Sequence, residues 1–355
     1  MSNKQTVSTK KGDSPSYSKY IGKKVMFLTV CSVGLILIVL IALSIGSANL
    51  SISEVINQIL DQNGIAWSIR FPRVLVAVVA GAMLAVAGTV MQCILKNPLS
   101  EPYTLGLSQA AAFGAAFAIV ILGAGSTFSN AKDAVVINNQ YAVTICAFCF
   151  SLISTGVVLV LTRLTRVSSE AIVLSGVVMG SVFGAARTAI QYFASDVQIA
   201  SIVYWTFGDL SRITWENLIL ISAVSLPVLI YFIYNRWNYN AIDAGIDTAS
   251  SLGVNVNRHI IVGMVLSSLV AALIVSLMGV IGFVGLLAPH MVRRVVGSDH
   301  RFVIPASALV GALILVVSDT LARTIISPLI LPVGVITAFM GGPLFLAILI
   351  RGYRK

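Results

Sequence analysis

The chain has 355 residues, of which 57% are hydrophobic and only 10% are charged. This composition lies well outside that of soluble globular domains and favours a protein that crosses a membrane several times. The formal net charge of +10 does not indicate a nucleic-acid-binding protein, because no basic surface with interleaved aromatic residues remains once the apolar runs are set aside.

Apolar runs close to the twenty residues of a membrane span recur along the chain, and they predict an all-α polytopic fold with about ten transmembrane helices. The predicted spans are 25–46, 70–95, 103–124, 139–162, 168–193, 214–235, 258–280, 283–292, 303–326 and 332–350. The first is longer than the apolar core of a signal peptide, which favours an uncleaved span. Residues 1–24 are predicted to be a disordered basic cytoplasmic tail, and residues 25–355 form one transmembrane domain.

The eighth apolar run is too short to cross a bilayer alone, so its treatment decides between nine and ten spans. Ten spans place most of the 23 Lys and Arg residues on one side of the membrane, whereas omitting the eighth divides them almost evenly. Because cytoplasmic loops carry an excess of Lys and Arg, we predict ten spans with both termini in the cytoplasm.

The second span has polar groups at both ends. Arg70 and Arg73 stand at its start, and a turn from Asn97 to Pro102 follows its last residues. The predicted topology puts the two arginines toward the outer face and the turn in the cytoplasm. We therefore expect this span to meet partners on both faces of the membrane.

The longest predicted cytoplasmic loop between spans contains a segment with helical spacing. We predict one helix from Ala241 to Leu252, with Asn240 capping its start and Gly253 ending it. Asp243 and Asp247 would lie one turn apart on one face. A short helix of mostly small residues suits docking into a groove on a partner protein, and the alternative is a connecting helix without a partner.

Two further patterns concern packing in the membrane. Residues 70–98 and 258–289 both begin with a basic residue and end in a proline turn, which predicts an inverted internal repeat of the kind found in transporters. Gly176, Gly180 and Gly184 form a ridge of small residues on the fifth span. We favour close helix packing for this ridge, and a substrate path lined by it is the alternative.

No constellation for catalysis, metal binding or nucleotide binding is visible. His259, His290 and His300 have no second histidine or cysteine at ligand spacing, and no phosphate-binding loop motif occurs. His290 follows Pro289, and we favour a structural hydrogen bond to nearby backbone over a proton relay. The four cysteines lie in apolar runs and are predicted to be buried structural residues. We therefore predict a non-enzymatic chain without a metal or cofactor.

Charged residues inside predicted spans are functional candidates, because burying a charge in a bilayer is costly. Asp319 and Arg323 are one helical turn apart in the ninth span, which predicts a local ion pair. Arg187 in the fifth span has no evident sequence partner. Structural pairing and contact with an anionic substrate both remain open for Arg187.

Several ordered blocks resemble the FecCD-type permeases, the membrane subunits of ABC importers for iron-siderophores, haem and cobalamin. They are R-F-P-R at 70–73, N-P-L-S-E-P-Y-T-L-G at 97–106, Y-W-T-F-G-D-L at 204–210, S-L-G-V-N at 251–255, G-V-I-G-F-V-G-L-L-A-P-H-M-V-R-R at 279–294, D-H-R at 299–301, S-D-T-L-A-R at 318–323, and L-P-V-G-V-I-T-A-F-M-G-G-P-L-F at 331–345. The resemblance runs from about residue 25 to the C-terminus.

The resemblance implies the type II ABC importer permease fold and a bacterial cytoplasmic membrane. It also implies three kinds of protein partner: a second permease, identical or paralogous, two ATPase subunits that hydrolyse ATP, and an extracytoplasmic substrate-binding protein. We predict a ferric siderophore as cargo, carried by alternating access. Haem or cobalamin is the alternative cargo, and an ion-coupled secondary transporter is the alternative from another class.

The resemblance also assigns roles to residues of this chain. Arg70, Arg73 and Arg323 match arginines that pair with acidic residues of the binding protein, and the loop at 238–254 matches the coupling helix that contacts the ATPase. The coupling candidates in it are Asp243, Gly245, Asp247, Ala249, Leu252 and Gly253; the gate or pathway candidates are Ser168, Ser169, Glu170 and Arg187; and the structural motif residues are Asn97, Pro98, Pro102, Gly176, Gly180, Gly184, Pro289, His290, Pro332 and Gly334. Ile330 departs from the pattern, because relatives often carry Glu before L-P-V-G.

Overall fold

A computed structural model describes residues 17–46, 51–126, 136–137, 139–164, 169–327 and 329–353 as a helical bundle. Its helices are α1 Tyr17–Ser44, α2 Ile52–Leu60, α3 Phe71–Ile94, α4 Leu107–Val120, α5 Gln140–Leu164, α6 Ser169–Tyr192, α7 Asp196–Thr206, α8 Trp215–Tyr234, α9 Arg236–Ala244, α10 Ile246–Ser251, α11 Val256–Met278, α12 Val284–Val296, α13 His300–Thr324 and α14 Val333–Tyr353. A π-helical turn, Ala66–Arg70, precedes α3, and a 3-10 turn, Pro102–Leu105, precedes α4. Two-residue strands, β1 Gly125–Ser126 and β2 Val136–Ile137, pair antiparallel.

Among the described residues, seven helices have the length and apolar character of a membrane span. They lie in α1, α3 together with its preceding π-helical turn, α5, α6, α8, α11 and α13, while the apolar segments Leu107–Val120 and Val333–Pro343 are shorter. Every predicted span coincides with a helix, including α12, whose 13 residues are too few to cross a bilayer. The all-helical class is confirmed, and the count of ten spans and the inverted repeat stay predictions.

The core of the bundle is built around α3, which packs against α8, α11, α12 and α13. Gly81 of α3 lies directly against Gly311 of α13, and a Cβ atom added to Gly81 would clash with the Gly311 carbonyl oxygen. In a membrane, helices associate through van der Waals packing, which small residues strengthen by letting backbones approach. The glycine pair thus allows α3 and α13 to run side by side in opposite directions.

Gly81→Ala is expected to destabilise the chain by about 1–3 kcal/mol, because the added methyl group meets backbone that cannot yield without separating the two helices. The matched control is Gly156→Ala in α5, where an added Cβ has nothing within 4 Å. That control should be neutral or mildly stabilising, because Ala favours a helix over Gly. Equal thermal denaturation midpoints for the two variants in detergent would contradict the close packing.

Two expectations from the sequence are wrong in the described residues, and one helix was not predicted. α1 begins at Tyr17, so residues 17–24 are helical rather than disordered, while residues 1–16 lie outside the described part. Cys149 is exposed on α5 and Cys146 is only partly buried, so the cysteines are not all core residues. Helix α7 was not predicted, although Ser195 and Gln198 form a capping box at its start.

Candidate functional site

The structure places the predicted docking residues at one end of the α3–α13 pair and the predicted coupling segment at the other. We call the end with Arg73 and Asp319 the arginine end. We call Arg236–Gly253, which contacts the opposite end of the pair, the 236–253 segment. The 25 residues of α13 make it roughly 37 Å long, so the two ends are well separated and are connected by continuous helix.

At the arginine end, one buried carboxylate serves two arginines. Asp319 is 1% exposed; its Oδ1 lies 2.7 Å from Arg73 Nη2 and 2.8 Å from Arg73 Nε, and its Oδ2 lies 3.0 Å from Arg323 Nε. The predicted pair of Asp319 with Arg323 is confirmed. Arg73 comes from α3 and joins the same carboxylate, so the ion pairs link the start of α3 to the last turns of α13.

Two of the arginines also cap the end of α1. Arg323 donates to the carbonyls of Ala42 and Ile45 at 3.1 Å each, and Arg70 donates to those of Leu43 and Ser44 at 3.0 and 2.9 Å. The last carbonyls of a helix lack partners within it and attract cations. The guanidinium groups therefore hold the end of α1 against α3 and α13.

The three arginines are buried in this structure, with exposed fractions of 4–6%. The resemblance predicted that these arginines face acidic residues of a binding protein. In this structure they are instead engaged within the chain, by Asp319 and by the carbonyls at the end of α1. Their role in binding-protein docking stays a prediction. Ile330, in the position where relatives often carry Glu, is 46% exposed at the turn after α13.

The 236–253 segment is two short helices rather than the predicted single helix Ala241–Leu252. α9 ends at Ala244 and α10 begins at Ile246, because Gly245 has a φ of 140°, which a helix cannot accommodate. Asn240 lies inside α9 and does not cap a helix, which corrects that prediction. Gly253 does end the segment, with a φ of 81°.

Asn240 instead links α9 to the start of α13. Its Nδ2 donates to Asp299 Oδ1 at 3.0 Å, and its Oδ1 accepts from the backbone N–H of His300 at 2.7 Å. Asp299 caps α13 by accepting from the N–H of Arg301. Although burial opposes ionisation, the hydrogen bonds from Arg301 and Asn240 lower the pKa of Asp299 to about 2. The cap is thus ionised at neutral pH.

A second link joins the same elements. His300 is fully buried, and its Nε2 lies 2.8 Å from Asp243 Oδ2. Burial opposes ionisation of Asp243, but the hydrogen bond and charge of His300 outweigh it and lower its pKa. Cys93, in the last turn of α3, donates to the Tyr239 carbonyl at 3.5 Å. The sequence pointed only to Asp243 here, because its partners are distant in the chain.

The other coupling candidates differ in exposure. Ala249 is buried against the bundle, whereas Asp247 and Gly245 lie toward the surface. Ile246, the first residue of α10, is 51% exposed, and Leu252, which follows its last residue, is 69% exposed. The exposed residues of α10 and its end are therefore mixed, with Ile246 and Leu252 among small polar residues and the acidic Asp247. The segment is anchored to α3 and α13 through α9.

The gate and pathway candidates lie on α6. Ser169 and Glu170 form its first turn with Glu170 exposed, and Ser168 lies outside the described residues. Arg187 is half-buried, and its Nε makes no hydrogen bond to the part of the chain that the structure describes. Arg187 also forms no ion pair with the described residues. The described residues therefore give no support to structural pairing, and contact with an anionic substrate stays a prediction.

The glycine ridge of α6 faces the turn before α4. A Cβ at Gly176 would lie 1.8 Å from the Thr104 carbonyl oxygen, while those at Gly180 and Gly184 would meet Gly106 and Gln109 at 3.8–3.9 Å. These contacts are those of helix packing. Gly176 therefore lets α6 contact the 3-10 turn directly.

The turn before α4 is held by short-range bonds and contains a partly buried acid. Asn97 Oδ1 accepts from the N–H of Leu99 at 2.9 Å, Pro98 follows, and Pro102 is buried at the start of the 3-10 turn. The Oε2 atom of Glu101 is buried without a hydrogen-bond partner among the described residues, and burial raises the pKa of this carboxyl to about 7. Its side chain lies against Gly285 of α12.

Two other sequence blocks also contact distant segments. Gly334 donates to the Gly208 carbonyl at 3.4 Å, and a Cβ at Gly334 would lie 2.4 Å from the Phe207 carbonyl oxygen, so the turn at Pro332 packs on the 204–210 block. Pro289 is buried within α12. Among the described residues no hydrogen bond from His290 to nearby backbone is observed, so the predicted bond is not found there.

Comparisons with known proteins agree along nearly the whole chain. A family model described as the FecCD transport family matches residues 34–351. A protein of Methanocaldococcus jannaschii named as an ABC transporter permease, MJ0087, is 47% identical over 344 residues, which cover 96% of this chain and 98% of the relative. The hemin transport system permease protein HmuU of Yersinia pestis is 35% identical, with 90% of this chain and 95% of that one covered.

Two further similarities concern cargo and structure. The vitamin B12 import system permease protein BtuC of Vibrio cholerae is 35% identical over 81% of this chain and 83% of its own length. A solved structure of a metal-chelate type ABC transporter in an inward-facing conformation is 28% identical, with a TM-score of 0.80 over 92% of this chain and 99% of that one.

Proposed function

The chain belongs to the FecCD transport family, and from this membership we propose that it is the permease subunit that moves a ferric siderophore through an ABC importer. That it is an ABC importer permease of the metal-chelate, haem or vitamin B12 type follows from the family and its relatives. The siderophore is our choice among these cargoes, and haem or cobalamin is the alternative.

The observation that carries the proposed mechanism is the α3–α13 pair, which joins the 236–253 segment to the arginine end. Asn240 and Asp243 tie the segment to the start of α13, and Asp319 and Arg323 stand in its last turns. A movement imposed on the segment by an ATPase subunit would therefore act directly on a helix that reaches the other end. We propose alternating access driven in this way, with a substrate-binding protein docking near the arginine end and a second permease completing the pathway.

Uptake of labelled ferric siderophores, haem and cobalamin by cells with and without this chain tests the cargo. We expect loss of siderophore uptake alone when the chain is absent. Loss of haem or cobalamin uptake instead would identify that ligand as the cargo. Unchanged uptake of all three would contradict the proposal.

Leu252→Asp is expected to reduce association with the ATPase subunits at least tenfold, because it puts a charge in place of the large apolar side chain exposed at the end of α10. The matched control is Leu60→Asp in α2, where the leucine is 74% exposed and lies on the segment that leads into the arginine end. Co-purification of ATPase subunits with the tagged permease is the measurement. Equal recovery with both variants would show that Leu252, at the end of α10, does not contribute to binding the ATPase subunits.

A further inference from the structure

Three groups that commonly bind transition metals meet where the 236–253 segment contacts the bundle. They are the thiol of Cys93, a carboxylate oxygen of Asp243 and a ring nitrogen of His300, and all three ligand atoms lie within 4.8 Å of one another. They come from α3, α9 and α13, so only the folded chain assembles them. Cys93 and His300 are 1% and 0% exposed, whereas the Asp243 side chain is 30% exposed.

We propose that Cys93, Asp243 and His300 form a binding site for a divalent transition-metal cation of the Zn²⁺ class. Thiolate, imidazole and carboxylate bind such a cation at about 2.3, 2.0 and 2.1 Å, so tetrahedral ligation needs ligand atoms roughly 3–4 Å apart. The observed cluster requires only small side-chain shifts to meet this. Mg²⁺ and Ca²⁺ do not suit the site, because they select oxygen ligands.

The charge balance of the site also suits a divalent cation. Binding displaces two protons to solvent, the thiol proton of Cys93 and the proton that lies between His300 Nε2 and Asp243. The resulting thiolate and the Asp243 carboxylate together neutralise the two positive charges, and His300 ligates as a neutral imidazole. Arg293 is near, but its guanidinium donates to Gln92 Oε1 and to the Thr89 carbonyl, so it lies beside the cluster with partners of its own. The exposed side of Asp243 leaves the fourth coordination position open to water.

Neighbouring groups hold the three ligands in place. Asn240 fixes the backbone of His300, and the ring of Tyr239 lies 5.9 Å from the His300 ring. Lys96 Nζ approaches the Asp243 carbonyl at 3.4 Å. Such supporting contacts orient metal ligands and raise affinity.

A bound cation would tie the end of α3, α9 and the start of α13 to one point. It would therefore resist movement of the 236–253 segment relative to the bundle and lower transport when cytoplasmic metal is plentiful. This consequence rests on the proposed coupling role, whereas the metal site itself does not.

The test is titration of the purified full-length chain in detergent with Co²⁺, which takes the place of Zn²⁺ and is visible by absorption. We expect one equivalent to bind, with the intense visible bands of a tetrahedral site and a thiolate-to-cobalt charge-transfer band in the near ultraviolet. Added Zn²⁺ should remove both signals. Cys93→Ser should abolish the charge-transfer band, and Asp243→Asn should weaken binding at least tenfold.

The matched control is Cys149→Ser, because Cys149 is exposed on α5 and is not part of the cluster. It should keep the full charge-transfer band. The site is refuted if the wild-type chain shows no such band at saturating Co²⁺, if Cys93→Ser retains it, or if Cys149→Ser loses it. The wild-type titration decides the matter even if Cys93→Ser does not fold. If the chain transports a chelate but binds no Co²⁺, only the metal-site proposal is refuted. If it binds Co²⁺ but transports nothing, only the proposed function is refuted.

Discussion

Asp319→Asn is expected to destabilise the chain by about 3 kcal/mol or more, the largest effect of any single substitution at the arginine end. Asn has nearly the same shape as Asp, so the change removes charge without making a cavity. Arg73 and Arg323 then remain buried with no carboxylate between them, beside Arg70. Uncompensated buried cations attract water or force the helix ends apart, and α1 loses its anchor as well.

The measurement is the thermal denaturation midpoint and the folded yield in detergent. The control is Asp61→Asn at the exposed end of α2, which changes the same charge and is expected to leave both unchanged. A midpoint for Asp319→Asn equal to that of the control would show that the three arginines do not depend on this carboxylate.

A double variant tests the cause directly. Arg73→Met removes one of the two cations that share Asp319, so Arg73→Met with Asp319→Asn should be more stable than Asp319→Asn alone. Residues that share one ion-pair network show such non-additive effects, of about 0.5–3 kcal/mol. Simple additivity of the two single changes would mean that Arg73 and Asp319 act independently, contrary to their 2.7 Å separation.

The ion-pair network at the arginine end was predictable from the sequence only in part. The pair of Asp319 and Arg323 was predictable, because a spacing of four residues on a helix brings side chains together whatever the rest of the fold does. The addition of Arg73 was not, since it stands 246 residues away and contacts Asp319 only because α3 and α13 pack in opposite directions. Burial of the arginines likewise depends on where the end of α1 lies.

The 236–253 segment was also predictable only in part. Its existence, its small residues and its end at Gly253 follow from local chemistry. The break at Gly245 does not, because glycine is compatible with a helix and leaves it only where tertiary contacts make that favourable. The cluster of Cys93, Asp243 and His300 was likewise not predictable from local spacing, because its members come from three helices that are distant in the sequence.

Asn240→Ala is expected to lower transport per ATP hydrolysed at least fivefold in vesicles reconstituted with the ATPase subunits and binding protein. The substitution removes two hydrogen bonds between α9 and the start of α13, at 3.0 and 2.7 Å, while Asp243 still holds His300. The chain should therefore assemble, but movement of the 236–253 segment should reach α13 less faithfully. ATP hydrolysis is expected to continue, because no catalytic residue is altered.

The control is Asn238→Ala, two residues earlier on the same helix. The Asn238 side chain donates to Asn235 Oδ1 and makes no hydrogen bond to α13, so it shares the residue type and the helix but not the link. It should keep the transport-to-hydrolysis ratio of the wild-type chain. If both variants lower the ratio equally, the effect belongs to α9 as a whole, whereas an unchanged ratio for Asn240→Ala would mean that α13 receives its movement through another contact.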